Sequence, residues 1–150
     1  MTQFLNKENF FSSQLPTLSR KKIILAPISA AFILFGSNGL ILRFGLYHIF
    51  WWLDLLMHFL GGGIAAVFFA ILFKESIIRL DPLSALIFIL GTAAIVGLFW
   101  EFFEWGMDRW FVANFMGGLN DTLSDLLMDF LGGLAAAVFR LKLRLPKRTF

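Results

Sequence analysis

Four apolar stretches, each close to the length that crosses a bilayer, constrain this chain more than anything else in it. A spanning helix takes about 20 mostly apolar residues. The first stretch runs from Ile23 to Leu42 and the second from Asp54 to Phe73. The third runs from Leu83 to Trp105 and the fourth from Asp121 to Leu141. Asp81-Pro82 opens the third in the favoured way, a capping carboxylate followed by Pro at the first helical position. A soluble domain of 150 residues lacks the interior to hide a composition that is 59% hydrophobic, with mean hydropathy +0.79. The predicted fold is therefore all-α, a polytopic membrane protein with four transmembrane helices.

Positive charge orients it. Arg20, Lys21 and Lys22 precede the first stretch, and Lys74 and Arg79 lie between the second and third. Arg140, Lys142, Arg144, Lys147 and Arg148 follow the fourth, whereas the other two loops have only Arg43 and Arg109 nearby. The positive-inside rule puts both termini and the middle loop in the cytoplasm. Residues 1–22 read as a polar cytoplasmic tail, 23–141 as the four-helix transmembrane domain, and 142–150 as a basic cytoplasmic tail. The first stretch is too long for a signal-peptide core and lacks a clear cleavage site, so it reads as a retained anchor. Basic residues placed this way are topology signals, which makes membrane lipids the expected partners and nucleic acid not one, despite a pI near 9.6. Cysteine is absent, which excludes a thiolate metal site and a Cys nucleophile.

An internal repeat follows. Asp54 to Phe68 aligns without a gap on Asp125 to Phe139, with 12 of 15 positions identical at an offset of 71. Under the assigned topology both segments run from outside to inside, which predicts two helical hairpins in parallel repeat. Gly61, Gly62, Ala65 and Ala66, and their copies Gly132, Gly133, Ala136 and Ala137, form small-residue faces that let helices approach closely in lipid.

Seven of the ten acidic residues collect at the outer ends of the last three stretches. They are spaced by three or four: Asp54 with His58, Glu101/Glu104/Asp108, and Asp121/Asp125/Asp129. Residues so spaced project from one helix face, and turning such a face toward lipid costs on the order of 2.5–3.5 kcal/mol per charge. The three faces are therefore expected to meet. Arg43 and Arg109 cannot balance seven carboxylates, so either several hold protons or a cation neutralises them. One imidazole among carboxylates suits a divalent ion such as Mg²⁺, Mn²⁺, Fe²⁺ or Zn²⁺. His58, Glu101, Asp125 and Asp129 are the candidate metal ligands, and Glu101 and Glu104 the candidate catalytic carboxylates.

Blander readings stand beside these. Asp54 and Asp121 read equally well as helix caps, Asp108 and Arg109 as a solvated pair, and Glu104 as held by Arg43. The aromatic run Phe99 to Trp105, with Trp51, Trp52, Trp110 and Phe111, reads as an interfacial belt. The stretch from Arg109 to Asn120 has the composition of a loop able to lie over the site.

The strings Asp54-x-x-x-His58-Phe, Glu101-x-x-Glu104-Trp and Asp125-x-x-x-Asp129 resemble the signature of YjdF-type bacterial inner-membrane proteins. Helices two to four are more distantly similar to VanZ-like proteins, with Asp129 standing where Asn is usual in that pattern. The resemblance covers residues 50–140 or so; it implies a multi-pass protein of the bacterial cytoplasmic membrane and no particular reaction.

Two classes of function fit. In one, the site is an enzyme centre acting on a lipid or envelope substrate, with Glu101 or Glu104 as general base and His58 as ligand or acid. In the other, it binds a cation or proton without catalysis, for sensing, structure or transport. Below His58 and Asp129 the helices carry only small and apolar residues, which favours a one-sided site over a conduit.

Overall fold

The structure, a computed structural model, describes residues 20–111 and 117–144. Six helices follow one another: α1 (Arg20–Arg43), α2 (Leu46–Ile49), α3 (Trp52–Leu72), α4 (Lys74–Ile77), α5 (Pro82–Phe111) and α6 (Leu119–Arg144). No strand occurs among the described residues. Helices α1, α3, α5 and α6 are long and apolar enough to cross a membrane, so this is an all-α, polytopic membrane protein.

Local chemistry sets the boundaries. Helix α1 closes on Gly45, which takes the left-handed conformation (φ 64°) and donates its N–H to the Leu42 carbonyl at 3.1 Å. At the start of α5, Asp81 Oδ1 accepts the N–H groups of Leu83 and Ser84 at 3.0 and 3.1 Å, the cap that the Asp-Pro pair predicts. Hydrogen bonds from Ser84, side chain and backbone, with a further one from Leu83, hold the Asp81 carboxyl below its ordinary range.

Several boundaries differ from the sequence reading. Helix α5 continues past Trp105 to Phe111, because Gly106 to Trp110 contain no proline to stop it. Helices α1 and α6 extend to Arg20 and Arg144, into stretches read as tails, while residues 1–19 and 145–150 lie outside the described residues. Much of the expected loop is helix: α5 reaches Phe111 and α6 begins at Leu119, with 112–116 outside the described residues.

Three stripes of buried residues, each advancing by four, hold the bundle together. On α3 the stripe is His58, Gly62, Ala66 and Ala70; on α6 it is Asp125, Asp129, Gly133 and Ala137. On α5 it is Ala85, Ile89, Ala93, Gly97 and Glu101. Helices α3 and α6 make the most extensive contact, and α5 packs on both. Their contacts advance in the same direction along the two chains, from His58–Asp129 to Gly63–Gly132, so α3 and α6 run parallel.

The approach is backbone to backbone. A Cβ on Gly62 would overlap the Asp129 carbonyl, and one on Gly132 would overlap the Phe59 carbonyl. Lipid supplies no hydrophobic force between helices, so this close contact carries the association. Toward the α4 end, Ala66, Ala70, Ile77, Ala85, Ile89, Ala93 and Ala137 form a packed apolar layer.

Helix α1 leans on α3 and meets α5 where Phe35 and Trp100 pack edge to face with centroids 6.2 Å apart. Its outer surface is bare: Phe32 is 75% exposed and Ile33 70%. Faces of this kind are stable against acyl chains and not against water.

Candidate functional site

Each buried stripe turns ionisable at the same end of the bundle. Among the described residues, the buried polar side chains are His58, Glu101, Asp125 and Asp129, each at most 6% exposed. These four are the metal ligands expected from the sequence. Glu104 and Asp54 stand beside them, both half-buried.

His58 is the hub. Its Nδ1 lies 3.2 Å from Asp129 Oδ2, and its Nε2 lies 4.0 Å from Asp125 Oδ2. Both ion pairs of the site are thus made by one imidazole from α3 with two carboxylates of α6. Gly97 on α5 makes room for this, since a Cβ there would overlap the Asp129 carboxylate. Two ligand sets converge on the same ring: Asp54, His58 and Asp125 offer atoms within 4.8 Å of one another, and so do His58, Glu101 and Glu104. Asp129 belongs to neither set.

The carboxylates are under-satisfied. Oδ1 of Asp125 is buried without a hydrogen-bond partner among the described residues, and the two buried oxygens of Glu101 have the Thr122 hydroxyl beside them without a well-formed hydrogen bond. Buried carboxylate oxygens left unpaired cost several times a normal hydrogen bond, so this arrangement is suited to a positive ligand.

Some expectations need correction. Neither Asp54 nor Asp121 caps its helix, because each is the third residue of its helix (α3 begins at Trp52, α6 at Leu119). Both sit in the first turn, where a carboxylate is favoured by the helix dipole. Glu104, for which Arg43 was the suggested holder, accepts a hydrogen bond from Trp100 Nε1 at 2.8 Å. Trp100 therefore leaves the aromatic belt and joins the site, whereas Trp51, Trp52, Trp105 and Trp110 are exposed as a belt requires. Asp108 is half-buried one turn beyond Glu104 and outside both ligand sets, and Arg109 is exposed.

Sequence reasoning missed Gly97, Thr122, Asn38 and Tyr47. Gly97 had a signal, standing four residues before Glu101 on the same stripe. Tyr47, the sole tyrosine, donates to Asn38 Oδ1 at 2.7 Å. Burial and the carboxylates of Asp54, Glu104 and Asp125 push its phenol above the ordinary value, so it stays a neutral donor.

Two cavities reach this end. An apolar groove of about 480 Å³ lies between α1, α3 and α5, with His58, Asp129 and Asp54 in its wall. A more polar cavity of about 270 Å³ lies under the α1–α3 connection, lined by Tyr47, His48, Glu104 and Asp121 among others. Asn38 and Asp54 line both.

A family model described as predicted membrane protein (DUF2238) matches residues 13–145. The chain belongs to the DUF2238 family. The match spans all four membrane helices and every site residue named above, so the site lies within the shared DUF2238 region. The family is one of unknown function, and the YjdF-type and VanZ-like likeness rests on the quoted strings alone. Neither the curated proteins nor the solved structures returned a match.

Proposed function

We propose that this protein holds a divalent cation among His58, Asp54, Asp125 and Glu101 and uses it on a lipid or envelope substrate. The observation that carries the reading is the set of buried, under-satisfied oxygens on Glu101 and Asp125, in the two residue groups that meet at the imidazole of a third helix. A cation there would polarise a phosphoryl or carbonyl oxygen of the substrate. His58 binds through Nε2 while its Nδ1–H donates to Asp129, the usual way in which a carboxylate fixes the tautomer of a ligating histidine. Asp129 is then a positioning residue, and Glu104, steadied by Trp100, is the carboxylate free to accept a proton.

The test is elemental analysis of the full chain purified in mild detergent, with melting followed before and after chelation. About one divalent ion per chain is expected, with a melting temperature that falls on chelation and recovers with one added metal. A second reading, a non-catalytic proton-sharing network, is favoured by the direct His58–Asp129 contact. Protein that purifies without metal, and that Mg²⁺, Mn²⁺, Fe²⁺ and Zn²⁺ all fail to stabilise, would establish that second reading instead.

The site faces outward in this reading, with both termini in the cytoplasm of a bacterial inner-membrane protein. Reporter fusions after Lys74 and after Arg140 should score as cytoplasmic, and one within residues 113–118 as external. A cytoplasmic score from the last would invert the site. The two hairpins are read as a parallel duplication, supported by the 12 of 15 identities and by contacts between positions 71 apart, such as His58 with Asp129.

A further inference from the structure

The two cavities have opposite chemistry and meet at shared residues. The larger is walled by Ile28, Phe35, Ile64, Phe68, Val96 and similar side chains, with polar groups only toward one end. The smaller offers the carboxylates of Asp54, Glu104 and Asp121, together with the Tyr47 hydroxyl and the His48 ring. Neither Lys nor Arg is among its lining residues. Because Asn38 and Asp54 line both, a ligand reaching across these two residues would have a polar, acidic mouth and an apolar body.

The dimensions and direction are those of a lipid in one leaflet. From Asn38 back to Pro27 the wall of α1 spans eleven residues, or about 16 Å at 1.5 Å each. Half of a hydrocarbon core is about 15 Å. The mouth lies at the helix ends, beside exposed Trp51, at the level where tryptophans mark the headgroup layer. An alkyl chain entering the groove thus points from the membrane surface toward its midplane, as it does in the bilayer. The wall on the α1 side is held through α3 and the Phe35–Trp100 edge contact.

Charge selects the head. Three carboxylates against one imidazole, with no Lys or Arg in the lining, repel a bare phosphate and favour a protonated primary amine, whose N–H groups they can accept. We infer that the two adjoining cavities bind one membrane phospholipid bearing an amine headgroup, with the amine between Glu104 and Asp121 and one acyl chain between α1, α3 and α5. This deepens the proposed function by naming its substrate class, and rests on it only for the part the cation plays. The lipid phosphate, four bonds from the amine nitrogen, would lie deeper, toward His58.

Native mass spectrometry of the full, delipidated chain tests it, using phosphatidylethanolamine and phosphatidylglycerol with identical acyl chains. The amine lipid should be retained about fivefold better than the glycerol lipid, the upper range of a partly exposed ion pair. Ala31→Trp, which fills the groove from the peripheral helix, should cut retention of both lipids while metal content stays unchanged. Asp121→Asn, outside both ligand sets, should narrow the preference for the amine and leave metal content unchanged. Equal or better retention of phosphatidylglycerol by the wild type overturns the headgroup assignment. Retention indifferent to Ala31→Trp overturns the groove. Metal is counted in the same samples, so amine-lipid selectivity in metal-free protein defeats the cation reading alone, and metal without selectivity defeats this inference alone.

Discussion

A single methyl group added at Gly62 destabilises the bundle by about 1–3 kcal/mol, whereas the same methyl at Gly61 leaves it unchanged or slightly firmer. The neighbours share a helix and a residue type, and alanine gains about 1 kcal/mol of helix propensity over glycine at either. Space decides the sign. At Gly61 the new Cβ would meet Leu34 at 3.7 Å and the Asp129 carboxylate at 3.8 Å, ordinary contact distances. At Gly62 it would overlap the Asp129 carbonyl, which is backbone and cannot swing aside, so α3 and α6 must part. Gly132→Ala should repeat the Gly62 result from the opposite helix, against the Phe59 carbonyl. Thermal melting of the full chain in one detergent reads the difference. Equal melting temperatures for Gly61→Ala and Gly62→Ala would mean that the close approach is not what holds these helices.

The second large effect concerns His58. His58→Ala should reduce bound divalent cation by at least about 100-fold in affinity, because both ligand sets lose the atom they share. Asp129→Asn should cost less, on the order of 10–100-fold, since an amide oxygen can still accept from Nδ1–H and keep the ring in place. Isothermal titration of chelator-stripped protein with the metal found in the wild type gives both numbers. A loss at Asp129→Asn equal to that at His58→Ala would make Asp129 a ligand in its own right. Unchanged binding in His58→Ala would remove the imidazole from the site.

The membrane fold was legible because each spanning stretch is long, apolar and bounded by charge, and no soluble packing could compete. His58, Glu101, Asp125 and Asp129 were legible for the same energetic reason: polar groups inside such helices must face inward, and their spacing says on which side. Helix starts were less so. Asp54 and Asp121 have the chemistry of caps, and only the actual first turns, at Trp52 and Leu119, place them inside the helices. Trp100 was misread because an indole suits a membrane interface and a carboxylate equally well. Tyr47 and Asn38 were missed because they come from different elements, and only the fold of the α1–α3 connection brings them together.

The every-fourth-residue stripes have one more consequence. Rows of that spacing run aslant the helix axis, so helices packed through them cross instead of lying side by side. Crossing rods touch at a waist and part above and below it. Gly62, Gly97, Gly132 and Gly133 mark the closest approach here, and Asp129 sits at that level against Gly62 and Gly97. Between α3, α5 and α6 the bundle is closed at these glycines, so a ligand held there meets backbone and stops, whereas the groove beside α1 continues past them to Phe68 and Pro27.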